Sequence, residues 1–253
     1  MASLTKNTIN KKRSLSENDK EEQRPSKRVS FDKPKEEEKK VKEQSSRIII
    51  IIDETGSMHS RKSATISGIR EFVDSQLSAE KIEGELEPKL TFVFFNTKSR
   101  TFTWDKLSQV KDKSITNNLD TVLESYNPDN CTALYDTIHN VTKEFEHEKY
   151  NIVAIFTDGE DNSSQIATAD SVKDSIKNLK ENSNWEFQFL TVGLENWQAN
   201  QIGQSIGLQT QVVDTNLDVT EQMSQMMRGV SNSIYQSRNR STQRRQAHNS
   251  NPQ

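Results

Sequence analysis

"RIIIIIDETGSMHSRKS", Arg47 to Ser63, is the stretch on which the fold turns. Its isoleucine run, Ile48 to Ile52, stops abruptly at Asp53, Glu54, Thr55, Gly56 and Ser57. A continuous β-branched run closed by a glycine turn reads as a strand buried on both faces of a sheet. The residues after it then stand at the strand's carboxyl end, the edge at which open α/β sheets bind ligands. A carboxylate and two hydroxyls gathered there predict a site.

Downstream, Ile66, Ile69, Val73 and Leu77 recur at three- and four-residue steps with Phe72 beside them, which predicts an amphipathic helix of about four turns. "KLTFVFFNT" and "SRTFTW" read as adjacent strands of a hairpin, an antiparallel edge on an otherwise parallel sheet. A helix is predicted from Ala133 to about Lys149 through Leu134, Ile138, Val141 and Phe145, followed by "NIVAIFTDGEDN", a second buried strand ending on an acid. Helix near Ala169 to Lys180, strand "WEFQFLTVG", short helix around Trp197 to Ile206, strand "QVVDT" and a last helix from about Asp218 to Tyr235 complete the alternation. The expected fold is α/β: a doubly wound, Rossmann-like, mainly parallel sheet of about six strands, one of them an antiparallel edge, with helices on both faces. The stripe of Met223, Met226, Met227, Val230 and Ile234 reads as core packing in preference to a partner surface.

Charge separates this body from its tails. Residues 1–46 carry 13 Lys/Arg against 9 Asp/Glu and almost no large apolar residues, so a disordered basic tail is expected. Residues 238–253, with four arginines and no acid, read as a second disordered tail. With a chain net charge of −3 and +4 on each tail, the folded part, 47–237, carries −11, which argues against direct nucleic-acid binding by it. No apolar stretch approaches the roughly 20 residues of a membrane span, and no signal-peptide core precedes the domain. With Cys131 as the single cysteine, an intracellular protein of nucleus or cytoplasm is expected.

Three loops at the carboxyl edge carry oxygen ligands: Asp53, Thr55 and Ser57 after the first strand, Thr132 in "DNCTALYD" and Asp158 in "FTDGEDN". An oxygen-only set selects a hard cation, Mg²⁺, with Mn²⁺ or Ca²⁺ as substitutes. The alternation of Asp53, Thr55 and Ser57 lets one turn direct three side chains to a point, and Gly56 allows the sharp bend. The four histidines, at 59, 139, 147 and 248, form no recognisable triad, and His59 reads as a helix-start residue.

These residues resemble, in order, the metal-ion-dependent adhesion site of the von Willebrand factor A domain family: Asp-X-Ser-X-Ser, a distant Thr and a distant Asp. "DETGSM", "TISGIREF", "YNPDNCTALYDTI", "IFTDGEDNSS" and "WEFQFL" are similar to its intracellular, phage and bacterial-type members, with Thr55 standing where Ser is usual. The resemblance implies a binding module and no enzyme: two carboxylates leave the ion an open position that an Asp or Glu of a partner protein completes. An alternative reading takes "DETGS" and "TDGEDN" as a haloacid-dehalogenase-type phosphotransferase with Asp53 as phosphoryl acceptor. In another, the hydroxyls and Asp158 merely cap helices and turns.

The N-terminal tail adds its own motifs. Lys11, Lys12 and Arg13 followed by Arg24, Lys27 and Arg28 resemble a bipartite nuclear localisation signal, and equally a solvated mixed-charge tail. "KRVSFD" resembles the Arg-Val-X-Phe docking motif for type-1 serine/threonine protein phosphatase, with Lys27, Arg28, Val29 and Phe31 as contacts and Ser30 as a phosphorylation switch. That motif carries a further alternative, a phosphatase-targeting scaffold.

Overall fold

The structure, a computed structural model, describes residues 45–148, 150–212 and 217–250. The tail motif of Lys27, Arg28, Val29, Ser30 and Phe31 lies outside the described residues.

The isoleucine run forms the middle of β1, Ser45–Asp53. β2, Leu86–Phe95, lies parallel on one side of it and β4, Tyr150–Thr157, parallel on the other, so that Ile50 stands between Phe92 and Ala154. β3, Ser99–Trp104, pairs antiparallel with β2 as the expected hairpin. β5, Asn184–Thr191, and the short β6, Thr210–Val212, extend the sheet in parallel beyond β4. The strand order is β3-β2-β1-β4-β5-β6. The chain therefore reverses direction across the sheet between β1 and β4, a topological switch point.

A continuous apolar strand works here because both faces of β1 are covered. Ile48, Ile50 and Ile52 point into one layer with α1 (Lys62–Ser78), α2 (Leu119–Glu124) and α6 (Val219–Ser250). Ile49 and Ile51 point into the other, with α3 (Leu134–Glu144), α4 (Ala169–Asn182) and α5 (Asn196–Ser205). All five are at most 1% exposed. Each such side chain contributes roughly 1.5–3 kcal/mol of burial.

The methionine stripe of α6 is core: Met223, Met226, Met227, Val230 and Ile234 are all buried. It packs on α1 at Gly68, where a Cβ would come within 2.6 Å of Met223 Cγ. Glycine there permits the close approach of the two helices.

The last helix runs further than expected. α6 does not end near Tyr235 but continues to Ser250, so the stretch from Arg238 that composition marks as a disordered tail is helical. Apolar periodicity stops at Ile234, and polar contacts carry the helix on. Arg238 pairs at 2.9 Å with Glu85, both nearly fully buried, and donates to Gln76 Oε1. Ser46 donates to the same Glu85 at 2.7 Å, which ties the start of β1 to α6. Arg245 stacks over the Tyr150 ring at 4.6 Å. α2 and two 3₁₀ turns, Gly56–Arg61 and Leu107–Lys111, were also not legible in the sequence. Among the described residues no helix is long and apolar enough to cross a membrane.

Candidate metal centre

The five oxygen-bearing residues come together at the carboxyl edge, on three loops that the backbone ties to one another. Gly56 N–H donates to the Asn130 carbonyl at 3.1 Å, joining the β1 loop to the loop before α3. Asn130 adopts φ 65°, a left-handed conformation that asparagine tolerates, and this turn aims its carbonyl at Gly56. Thr132 N–H donates to Asn162 Oδ1, while Asn162 N–H and Ser163 N–H donate to the Thr132 carbonyl, joining that loop to the one after β4.

Asp53 is wholly buried at the end of β1. Its Oδ1 accepts from Thr55 N–H at 2.8 Å and its Oδ2 from the Thr157 hydroxyl at 2.6 Å. The Thr55 and Ser57 hydroxyls lie 3.0 Å apart, and Ser57 donates to Asp158 Oδ1 at 2.6 Å. Asp53, Thr55, Thr132 and Asp158 are buried, whereas Ser57 is exposed, so the cluster opens to solvent on the Ser57 side. Thr132 Oγ1 makes no hydrogen bond among the described residues; a Cβ added to Gly159 would sit 4.0 Å from it.

Burial pushes the carboxyls of both Asp53 and Asp158 above the ordinary range; hydrogen bonds from Thr157 and Thr55 offset part of this at Asp53, and those from Ser57 and the Arg61 charge part of it at Asp158. Two buried carboxylates that resist ionisation are a pair that a divalent cation would relieve. The donor set fits such an ion. Two carboxylates, three hydroxyls and no imidazole or thiolate make a hard-oxygen cradle, and an unpartnered threonine hydroxyl is available to it. Among the described residues no three His, Cys, Asp or Glu side chains stand together so as to hold a metal ion, so hydroxyls would have to serve beside the two carboxylates.

Several neighbours that the sequence did not mark hold this arrangement. Tyr126 O–H donates to the Asp53 carbonyl at 2.7 Å. Glu54, buried beside Asp53, receives Arg100 Nη2 on both carboxylate oxygens at 2.6 and 2.8 Å and accepts Asn127 N–H at 2.5 Å. Asp136 at the start of α3 accepts the backbone N–H groups of Gln165, Ile166 and Ala167, each at 2.8 Å, fixing the loop after β4. Asp161 accepts from Tyr135 N–H and from Ser164, a structural role at the head of α3. Thr157 could have been suspected, since it immediately precedes Asp158 at a strand end. Glu54, Asp136 and Arg61 carry no such signal, because their partners are distant in sequence. His59 is exposed within the 3₁₀ turn.

A doubly wound sheet with oxygen-bearing side chains on three loops at its switch point is the architecture of a ligand-binding α/β domain. Residues 48–237 match the family model of the von Willebrand factor type A domain, and the chain belongs to that family. No curated protein matches it. Among solved structures it is similar to a von Willebrand factor type A protein from Catenulispora acidiphila, at 14% identity and TM-score 0.52, covering 74% of this chain and 43% of that one. It is likewise similar to proximal thread matrix protein 1 of the mussel byssus with a zinc-occupied MIDAS motif, at 13% identity and TM-score 0.53, covering 75% and 48%. The von Willebrand factor domain of the pilus tip protein Mfa5 from Porphyromonas gingivalis gives 8% identity and TM-score 0.54, covering 76% and 96%. At these identities the likeness concerns the fold. The chain spans less than half the length of the first of these structures. The match over residues 48–237 is to this family, whereas the haloacid-dehalogenase reading rests on the short stretches "DETGS" and "TDGEDN" alone.

Proposed function

We propose that this domain is a metal-dependent docking module: Asp53, Thr55, Ser57, Thr132 and Asp158 hold one Mg²⁺, which recruits an Asp or Glu side chain of a partner protein. The observation that carries the reading is the Ser57–Asp158 hydrogen bond of 2.6 Å, which brings residues 101 positions apart in sequence to one point at the switch of the sheet. Helix capping by itself requires no such convergence. The 3₁₀ turn after Thr55 has no side-chain cap, nor does α3 after Ala133.

Bound Mg²⁺ would supply a Lewis-acidic centre to which a carboxylate can bind. The chain's own residues orient the site: Thr157 and Thr55 N–H fix Asp53, Ser57 fixes Asp158, and the exposed side at Ser57 admits the partner. We read the protein as a binding module without catalysis, in keeping with the interaction modules of its family. The exposed free thiol of Cys131 favours a reducing compartment, nucleus or cytoplasm.

A peptide array pairing Asp- and Glu-bearing peptides with their Asn and Gln counterparts tests this, probed with wild type and Thr132→Ala in Mg²⁺ and in EDTA. Capture of acidic members only, in Mg²⁺ only, and lost in the variant, is expected. Capture indifferent to metal, or to the acid-to-amide change, refutes the reading.

A further inference from the structure

Asp158 already has a cation. Arg61 closes the 3₁₀ turn that contains Ser57, and its Nη1 donates to Asp158 Oδ2 at 2.8 Å and to the Ser57 carbonyl at 3.2 Å. The Asp158 side chain is 2% exposed and that of Arg61 21%. Among the described residues Arg61 alone forms an ion pair with either site carboxylate.

The guanidinium has a built seat. Gly193, in the loop after β5, has φ +75°, and a Cβ there would fall 2.1 Å from Arg61 Nη2 and 2.9 Å from its Cζ. The group therefore rests against the backbone at Gly193, where a side chain would push it aside. Thr65 donates to the Arg61 carbonyl at 3.0 Å and fixes the root of the side chain. Arg61 Nε is buried there without a hydrogen-bond partner. A buried donor left unsatisfied opposes this placement, so the attraction between the guanidinium and Asp158 must sustain it.

We propose that Arg61 is a resident counter-cation that competes with the divalent ion for Asp158 and thereby sets the metal concentration at which the docking site forms. This rests on the metal-docking reading above. Without metal, the guanidinium sets one positive charge directly against Asp158. When the ion enters, a like charge stands beside it, and the partly exposed arginine must turn outward or be tolerated at a cost to affinity. The site then loads only above a threshold that the bare oxygen set would not impose.

Calorimetric titration of the full chain with Mn²⁺ tests this on wild type, Arg61→Gln, Arg61→Met and Arg61→Lys, with melting curves in EDTA to establish folding. Gln keeps a donor near Asp158 but no charge, Met keeps the aliphatic stem alone, and Lys keeps the charge. The neutral variants should bind Mn²⁺ at least about tenfold more tightly than wild type, since a neighbouring charge moves such equilibria by one to three powers of ten. Arg61→Lys should stay within about threefold of wild type. Neutral variants that bind as wild type does, or more weakly, overturn the competition while leaving the metal site standing. If neither wild type nor any variant binds Mn²⁺, the metal-docking reading fails and takes this one with it.

Discussion

Thr157 donates its hydroxyl hydrogen to Asp53 across 2.6 Å, at the point where the last residue of β4 meets the last residue of β1. The bond crosses the switch point of the sheet, and it holds in place a carboxylate whose other oxygen is taken by Thr55 N–H. It sets the direction in which Asp53 can offer its remaining lone pairs. A Thr157→Val protein, nearly isosteric, should therefore stay folded but lose about 1–2 kcal/mol of stability, because a buried acceptor is left short of a donor. Its Mn²⁺ affinity should fall about tenfold, as when partners that orient a metal ligand are removed. Denaturant unfolding and calorimetry read the two effects separately.

Glu54 and Arg100 form a second bond across the same region, from the residue after Asp53 to the edge strand β3. The Glu54 side chain is 5% exposed and that of Arg100 43%. Arg100→Ala should destabilise the domain by about 2 kcal/mol in urea unfolding, less than for a fully buried pair because water reaches the arginine. The loop from Asn127 to Asn130, which hangs on Glu54, should exchange its amides faster in the variant.

Arg238 tests the boundary of the domain. With Glu85 left buried beside it, Arg238→Ala should cost about 3–5 kcal/mol. Removing residues 238–253 should cost at least as much, and both losses should appear as a lower urea midpoint. A truncated chain as stable as the full one would restore the reading of this segment as a tail.

Asp136 gives the expected pH dependence. Burial opposes its ionisation, but the backbone N–H groups of Gln165, Ala167 and Ile166 outweigh that and hold its carboxyl below the ordinary range. A carboxyl lowered on folding adds stability above its unfolded value of about 4, and that contribution is lost as pH falls through the folded value. Wild type should thus have a higher urea midpoint than Asp136→Asn at neutral pH. The gap should narrow below about pH 4.

The site lay open to the sequence where chemistry and strand shared a few residues. The run Ile48–Ile52 declared a central strand because both its faces are covered, and Asp53, Thr55 and Ser57 followed from its end. The α6 extension did not, since Arg238, Thr242 and Arg245 carry no apolar period although the first two are buried. Its partners Glu85 and Tyr150 lie far away in sequence, and composition alone mistook a polar helix for a tail. α2 escaped notice because six residues, Leu119–Glu124, are too few to establish a period; its Asn118 cap was the available clue. Arg61 escaped for a different reason. In "HSRKS" it reads as one charge in a polar turn, and only the fold brings Asp158 and Gly193 to it.

In the proposed function three loops converge on one divalent ion. Mn²⁺ titration calorimetry of the full chain, wild type against Asp158→Ala, with melting curves alongside, tests it most directly. One ion bound by wild type and lost from a variant that remains folded is the predicted result. A wild-type chain that takes up no ion, or an Asp158→Ala chain that binds as tightly as wild type, would contradict it.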